Sequence, residues 1–329
     1  MTATIDRPDV SIVLSTYNRA HVLPRALQSL LDQDHDPARY EIVAVDNNST
    51  DGTRDHIESF AATALNLRYV FEPTQGLSHA RNAGIRAARA PLIAFTDDDV
   101  RVSRDWVSTI ALLFADHPEA ACVGGKVLPN WPGPWPGWLT PDHWSPLALL
   151  DYGDTPFYVN ASRRACLIGA NCAYRREVFD HIGMFAPHVQ AVGRDVGTED
   201  HELLLRLWRA GGQGFYWPRL TVISDIVPER MRRPYHRSWH RRHGHFTAIM
   251  HDDDDDLEQT RAGRLLGVPA HLYRQAAIDV GAWAGRVLRG DLATAFTHEV
   301  AVWFFLGFFN ARWREVLSSG GRRGTTGSV

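Results

Sequence analysis

Three consecutive carboxylates, Asp97, Asp98 and Asp99, close the apolar run Leu92-Ile93-Ala94-Phe95. Adjacent acids repel one another, so an unneutralised triplet costs stability. A hard divalent cation, Mn²⁺ or Mg²⁺, relieves this, because it takes oxygen ligands, keeps waters and shares its coordination with substrate phosphates. A solvated acidic loop is the alternative for the triplet taken alone. Two further polar residues follow apolar runs or turns in the same manner. Asp46, after Glu41 to Val45, could hold a base or a ribose, or could simply cap a helix. Arg81, near the start of the stretch Leu77 to Ala88, could meet a phosphate or face solvent. An acid for a nucleoside, a cation for a phosphate and acids for a metal, at successive strand ends, make one set of groups suited to a nucleotide.

The elements that position these groups are legible. Val10 to Ser15, Glu41 to Val45, Arg68 to Phe71 and Leu92 to Phe95 have the length and composition of buried strands. Ala20 to Leu31 reads as a helix, with Val22, Leu23, Ala26, Leu27, Leu30 and Leu31 on one stripe. A helix ending near Ala64 and another from Leu77 to Ala88 follow, and Asp46 to Thr53 is full of capping and turn residues. Alternating strands and helices imply an α/β class with a mostly parallel, doubly wound, Rossmann-like sheet, which binds ligands at the carboxyl ends of its strands. The dinucleotide fingerprint and the Walker-type glycine-rich loop with its lysine are both absent.

The chain has 329 residues, 44% hydrophobic and 22% charged, which suits one α/β domain with an appendage. A net charge of −3 supplies no global field for nucleic acid, so no nucleic-acid partner is expected. Cys122, Cys166 and Cys172 are an odd number without metal-type spacing, which points to reduced thiols and a cytoplasmic setting. The N-terminus lacks a secretory pattern, and no uninterrupted apolar run approaches the ~18 residues of a membrane span. Neither export by that route nor a span is therefore expected.

Five motifs carry a resemblance: Ser11-Ile-Val-Leu-Ser-Thr-Tyr-Asn-Arg19, Val45-Asp-Asn-Asn-Ser-Thr-Asp-Gly-Thr53, Gly76-Leu-Ser-His-Ala-Arg-Asn-Ala-Gly84, Phe95-Thr-Asp-Asp-Asp99 and Gly197-Thr-Glu-Asp200. In this combination the chain, from about residue 9 to 245, resembles family 2 glycosyltransferases of the GT-A fold. The resemblance implies a nucleotide-diphosphate-sugar donor, a UDP-sugar first and a GDP- or dTDP-sugar next. It implies Ser15, Thr16, Tyr17, Asn18, Arg19 and Asp46 around the nucleoside, and Arg81 near the diphosphate. Asp97 and Asp98 would then meet the donor, and Asp97 and Asp99 the Mn²⁺ or Mg²⁺ ion. It further implies inversion at the anomeric carbon and places Gly169, Ala170 and Asn171 on the acceptor side.

Thr198-Glu199-Asp200 opens a helix that runs to about Ala210, where acids often serve only as dipole partners. An inverting transfer, however, needs a carboxylate to take the acceptor's proton. Asp200 matches the family's base position, with Glu199 as the nearest rival and Asp195 a weaker one. Relatives often carry a histidine metal ligand where this chain has Asp225, which makes Asp225 the third candidate ligand.

Between Leu128 and Leu150, Trp131, Trp135, Trp138 and Trp144 alternate with prolines, a stiff aromatic loop suited to acceptor contact through Trp131 and Trp135 or to packing. Arg230 to His245 mixes six arginines with aromatics and suggests an anionic diphosphate or phospholipid partner. The run Asp252 to Asp256 reads as a solvated loop. Ala270 to Leu288 and Leu292 to Leu317 read as helices, and Val300 to Phe309, too short to span, either packs on the catalytic domain or lies in a membrane interface. The expected organisation is a flexible stretch 1–8, a nucleotide-sugar half 9–125, an acceptor and catalytic half 126–250 of the same domain, a helical extension 251–319 and a disordered tail 320–329.

The reading as a whole is a metal-dependent inverting transferase. It would transfer one sugar to a saccharide or lipid-linked glycan, in the cytoplasm or at the inner face of the cell membrane. A non-catalytic nucleotide-sugar-binding or scaffold protein is the alternative outside enzymes. A sugar-phosphate nucleotidylyltransferase is disfavoured because Ser15-Thr16-Tyr17-Asn18 supplies neither a glycine-rich loop nor a lysine.

Overall fold

The computed structural model describes residues 8–189, 198–250 and 263–322, of which 319–322 are described as backbone only. They form two compact units. The first comprises the chain up to Trp131 together with Ala148–Ile226; the second comprises Pro132–Leu147 and everything from Val227 onward. The boundaries expected at 125/126 and 250/251 each fall inside one of these units. Asp195, the acidic run Asp252 to Asp256 and most of both termini lie outside the described residues.

The first unit is built on one sheet of nine strands. These are β1 (Val10–Thr16), β2 (Tyr40–Asp46), β3 (Leu67–Phe71), β4 (Leu92–Asp97), β5 (Val100–Val102), β6 (Cys122–Asn130), β7 (Phe157–Val159), β8 (Cys172–Arg175) and β9 (Gly214–Asp225). Their order is β3-β2-β1-β4-β8-β6-β9-β5, with β7 also on β9. The strands β3, β2, β1 and β4 are mutually parallel, as the alternation with helices predicts. Beyond β4 the sheet is mixed: β8 is antiparallel to both β4 and β6, and β5 and β7 are antiparallel to β9. The parallel expectation fails there because β5 and β8 are not entered from crossover helices. β5 follows β4 after only Asp98 and Asp99, and β8 follows a one-turn 3₁₀ segment, Gly169–Asn171. The two strands expected around 213–217 and 220–223 are one strand, β9. It stays paired to β6 across a register shift between Gly124 and Lys126. Gly125 makes this possible, since a Cβ there would lie 1.8 Å from the Leu220 carbonyl oxygen.

Register brings the site together. In β1, Thr16 pairs with Asp46 of β2, and Ser15 pairs with Asp97 of β4, so three strands end level with one another. Helices α1 (Leu23–Leu31), α2 (Thr53–Ala61), α3 (Leu77–Ala87), α4 (Trp106–Asp116), α5 (Arg176–Ile182) and α6 (Glu199–Arg209) complete the unit. Helix α3 is buried along most of its length, from Ser78 to Ile85 except His79. Gly84 allows this approach, because a Cβ there would lie 2.2 Å from Val13 Cγ1. That proximity turns Arg81 into the protein instead of toward solvent.

Among its described residues the second unit contains the helices α7 (Arg233–Met250), α8 (Ala270–Leu288) and α9 (Leu292–Arg322), with a small hairpin of β10 (Arg264–Leu265) and β11 (Val268–Pro269). Helices α7 and α9 cross backbone to backbone. A Cβ on Gly307 would lie 1.8 Å from the Arg241 carbonyl oxygen, and one on Gly244 would lie 2.0 Å from that of Phe304. Trp138 packs edge-on against His143, His236 and Phe296, so this tryptophan of the proline-rich loop belongs to the packing of its own unit. Arg233 lies over the Phe296 ring at 4.9 Å and Arg237 pairs with Glu299, so these two arginines of the Arg230 to His245 stretch serve that packing too.

Helix α9 corrects the sequence reading of the C-terminus. It continues without a break to Arg322, through glycines expected to lie in the tail. Its segment Leu292–Ser318, 27 residues, is long and apolar enough to cross a membrane by length and composition, and a third of its most apolar stretch is buried inside the protein. The shorter run Val300 to Phe309 understated it because Arg312 and Arg314 interrupt the composition without interrupting the helix.

Candidate active site

At the carboxyl edge of the parallel strands, the Arg81 guanidinium gathers three carboxylates. Its Nη1 donates to Asp200 Oδ1 at 2.7 Å and to Glu199 Oε1 at 2.9 Å, while its Nη2 lies 3.3 Å from Asp97 Oδ1. The side chain is 3% exposed, and Phe185 lies beneath its charge with the ring centroid 5.3 Å from Cζ. Asn82 fixes Phe185 by bonding both its backbone carbonyl and its N–H, at 2.8 and 3.0 Å. Above the guanidinium sits Gly169, where a Cβ would fall 2.4 Å from Nη2. The three acids hold the guanidinium protonated despite burial, and its pKa is raised.

Asp200 is bound on both oxygens, since the Gly169 N–H donates to Oδ2 at 2.8 Å. Its side chain still keeps 17% exposure, against 4% for Glu199. Burial raises the Asp200 pKa, with Arg81 and the Gly169 N–H opposing. Burial and the Asp200 charge push Glu199 up to about 7. Glu199 Oε2 has no hydrogen-bond partner although it is sealed from solvent. The first turn of α6 thus holds one accessible carboxylate and one enclosed one on the same cation.

The aspartate triplet divides in the same way. Asp97 is partly exposed, whereas Asp98 is buried, and its burial and the neighbouring Asp99 charge push it up to about 7, with Arg19 opposing. A further positive ion beside the triplet would relieve the charge that burial and the adjacent Asp99 set against Asp98. Mn²⁺ or Mg²⁺ commonly takes one or two protein carboxylates and completes its shell with phosphate and water. Asp97 and Asp99 fit that requirement. Among the described residues no three histidine, cysteine, aspartate or glutamate side chains form a ready-made ligand set.

Asp225, the third candidate ligand, is differently placed. Its N–H donates to the Asp99 carbonyl at 2.9 Å, so the backbones adjoin. Its carboxylate is turned to Arg101 at 3.0 Å, to the Asn130 amide at 2.7 Å and toward Arg25 at 3.9 Å. Two arginines and an amide already neutralise it. These partners come from other strands and from α1, so no local spacing announces them.

The residues expected around the nucleoside form a hydrogen-bonded loop cluster. Ser15 and Thr16 are buried at the end of β1, and Tyr17 is 43% exposed. Asn18, with φ at +52°, accepts from the Thr50 N–H at 2.8 Å and donates its own N–H to Ser49 Oγ at 2.9 Å. The Arg19 N–H donates to Thr53 Oγ1. Asp46 accepts from the Ser49 N–H at 2.9 Å and from the Tyr69 hydroxyl at 3.0 Å, and burial with that bond pushes Tyr69 up to about 12. Each carboxylate oxygen has a second lone pair, which leaves Asp46 able to accept from a base or ribose as well.

Of the residues expected on the acceptor side, Asn171 is fully buried. It accepts from Trp106 Nε1 and donates to the Lys126 and Leu220 carbonyls, and Ala170 is 1% exposed. The turn therefore offers the site the Gly169 N–H, while Asn171 braces the sheet. Trp131 ends the first unit just beyond β6, and Trp135, 53% exposed, belongs to the second. Phe185, Asn82, Arg101 and Asn130 escape sequence reasoning as site supports; only the Arg81-Asn82 pairing within its motif hints at one of them.

Comparisons with known proteins identify the family. Among curated proteins, the chain is 28% identical over 240 residues to glycosyltransferase AglE of Haloferax volcanii, covering 71% of this chain and 70% of that protein. It is 35% identical over 161 residues to a validoxylamine A glucosyltransferase of Streptomyces hygroscopicus subsp. limoneus, a match spanning 47% of this chain and 35% of that one. Among solved structures, a mannosyltransferase from Pyrobaculum calidifontis in complex with GDP-Man and Mn²⁺ superposes with a TM-score of 0.55. That alignment is 19% identical and covers 99% of this chain and 78% of the other. S. aureus TarS 1–349 in complex with UDP gives 0.53 at 16% identity, over 97% and 93% of the two chains. These likenesses establish the GT-A fold. The sequence profile of glycosyl transferase family 2 matches residues 11–183, more than half of the chain. The protein is therefore a member of glycosyl transferase family 2 and a glycosyltransferase.

Proposed function

We propose that the protein transfers one sugar from a nucleotide-diphosphate-sugar, a UDP-sugar first, to a hydroxyl of a saccharide or lipid-linked glycan, with inversion at the anomeric carbon. The observation that carries this reading is the sharing of Arg81 by Asp97 at the end of β4 and Asp200 at the start of α6. It joins a donor-side carboxylate to a base candidate within one guanidinium's reach. The complexes with GDP-Man and Mn²⁺ and with UDP seen in proteins of this fold support the donor class.

Asp200 is the proposed general base. Its partial exposure admits an acceptor hydroxyl, and its raised pKa moves it toward the range in which a base works near neutral pH. In the transfer the acceptor oxygen forms a bond to the anomeric carbon, and the bond from that carbon to the diphosphate oxygen breaks with its electron pair. The acceptor's proton passes to an Asp200 oxygen. Arg81 and the Gly169 N–H hold that carboxylate in place, while the buried walls of the cluster exclude water. Asp97 and Asp99 would hold a divalent ion, which, when bound, supplies positive charge to the departing diphosphate. Glu199 is the second reading for the base, favoured by its unpartnered Oε2 and disfavoured by its enclosure.

The test is the anomeric configuration of the product from an α-linked donor, read by NMR, with Asp200→Asn and Glu199→Gln assayed in parallel. A β-linked product, and an Asp200→Asn rate lower by ~10²–10⁴ with donor binding retained, are expected. Retention of configuration, or Asp200→Asn activity within a few-fold of wild type, would overturn the proposal.

A further inference from the structure

Helix α8 is built inside out. Its only acid, Asp279, is buried, accepting from Gln275 at 3.1 Å on one oxygen and meeting His298 Nδ1 at 2.9 Å on the other. Asp279 is also the only residue of its 19 that is buried. Around the rest of the helix stand Ile278, Val280, Trp283, Val287 and Leu288, all exposed, with Leu292 exposed just beyond the turn into α9. Ala277, Gly281 and Ala284 fill the spaces between them and are exposed as well. Ordinary surface helices put apolar groups inward and charge outward; this one does the reverse.

Charge at the rim says what covers the face. Arg274 and Arg289, both exposed, stand at either end of the stripe, and the nearby Asp291 is paired with Arg286 at 2.8 Å. Among the described residues, no carboxylate of α8 faces outward to meet them. A second copy of the same face would bring arginine against arginine, whereas anionic headgroups would neutralise both ends. An apolar stripe with tryptophan, leucine and valine inside a basic rim matches a helix lying in the interface of an anionic bilayer.

We propose that the exposed face of α8 docks this protein onto the surface of an anionic phospholipid bilayer. The inference is independent of the proposed sugar chemistry, since it concerns a different unit and needs no turnover. The test is flotation of the full chain with vesicles of phosphatidylcholine alone and of phosphatidylcholine with 30% phosphatidylglycerol, a composition of about 7:3, at low and high salt. The wild type should float with the anionic vesicles, at least tenfold less with neutral ones, and less in high salt. Trp283→Glu/Val287→Glu should abolish flotation by tenfold or more with an unchanged melting temperature, whereas Leu112→Glu, at an exposed apolar position on α4, should float as wild type. Trp283→Gln is the milder second variant and should give a graded loss. Flotation that survives the α8 substitutions, equal flotation on neutral vesicles, or no flotation at all would overturn the proposal. So would a wild-type dimer in sedimentation that the α8 substitutions convert to monomer, which would make the face a self-interface.

Discussion

Gly169→Ala tests the Arg81 cluster with a single methyl group. Gly169 carries no left-handed backbone torsion, so the substitution acts only through the space it fills. The new Cβ would stand 2.4 Å from Arg81 Nη2 and 2.6 Å from Cζ. To restore a contact of about 3.5 Å, the guanidinium must retreat by roughly 1 Å. Elsewhere a long side chain would yield cheaply, but here Nη1 is held at 2.7 and 2.9 Å by two carboxylates, and such a retreat takes both beyond hydrogen-bonding range. Bonds between charged groups contribute about 1.5–3 kcal/mol each, so a loss of ~3 kcal/mol of stability is expected. The same displacement unseats Asp200, and a comparable loss of transition-state stabilisation lowers turnover by ~10²-fold. Chemical denaturation and initial rates at saturating donor measure the two effects. Gly137→Ala, where a Cβ meets nothing within 4 Å, is the control and should stay within ~0.5 kcal/mol of wild type. A Gly169→Ala protein with wild-type stability and wild-type turnover would refute the clamp.

Two further outcomes follow from particular side chains. Because Arg101, Asn130 and Arg25 surround the Asp225 carboxylate, Asp225→Asn should leave the Mn²⁺ concentration for half-maximal activity within about twofold of wild type; loss of metal dependence would return Asp225 to the ligand set. In the second unit, burial holds His236 at about 4 and His240 at about 3, both below the ordinary 6.5. The unfolded chain takes up these protons near pH 6.5 and the folded chain does not, so stability is complete above that pH and is lost as pH falls toward 4. Each histidine contributes up to ~1.4 kcal/mol per pH unit in that window. Melting curves from pH 7.5 to 5 should fall for the wild type and flatten in His236→Leu/His240→Leu.

The sequence makes the ends of elements legible where composition changes abruptly. Strand β4 ends at Asp97 because an apolar run meets charge there, and α6 begins at Glu199 where acids follow a threonine. Those two junctions mark the site's main residues before any contact is known. What joins them is not legible, because Arg81 reaches Glu199 and Asp200 across 118 and 119 positions. The same limit hides the neutralisation of Asp225, whose Arg101 and Asn130 partners lie 124 and 95 positions away. Asn171 shows the converse. Its place in a family motif suggested acceptor contact, and its three hydrogen bonds instead tie α4, β6 and β9 together. Helix α9 was legible from Leu292 to Leu317, but its length against a membrane was not, since the uninterrupted apolar run stops before Arg312 while the helix does not.

Thermal stabilisation by UDP-, GDP- and dTDP-sugars, each with Mn²⁺, with Mg²⁺ and with chelator, tests the central claim most directly when run on the wild type and on Asp99→Ala. The account predicts a shift for one nucleotide that needs the metal and disappears in Asp99→Ala. No shift from any donor with folded wild-type protein, or an undiminished metal-dependent shift in Asp99→Ala, would contradict it.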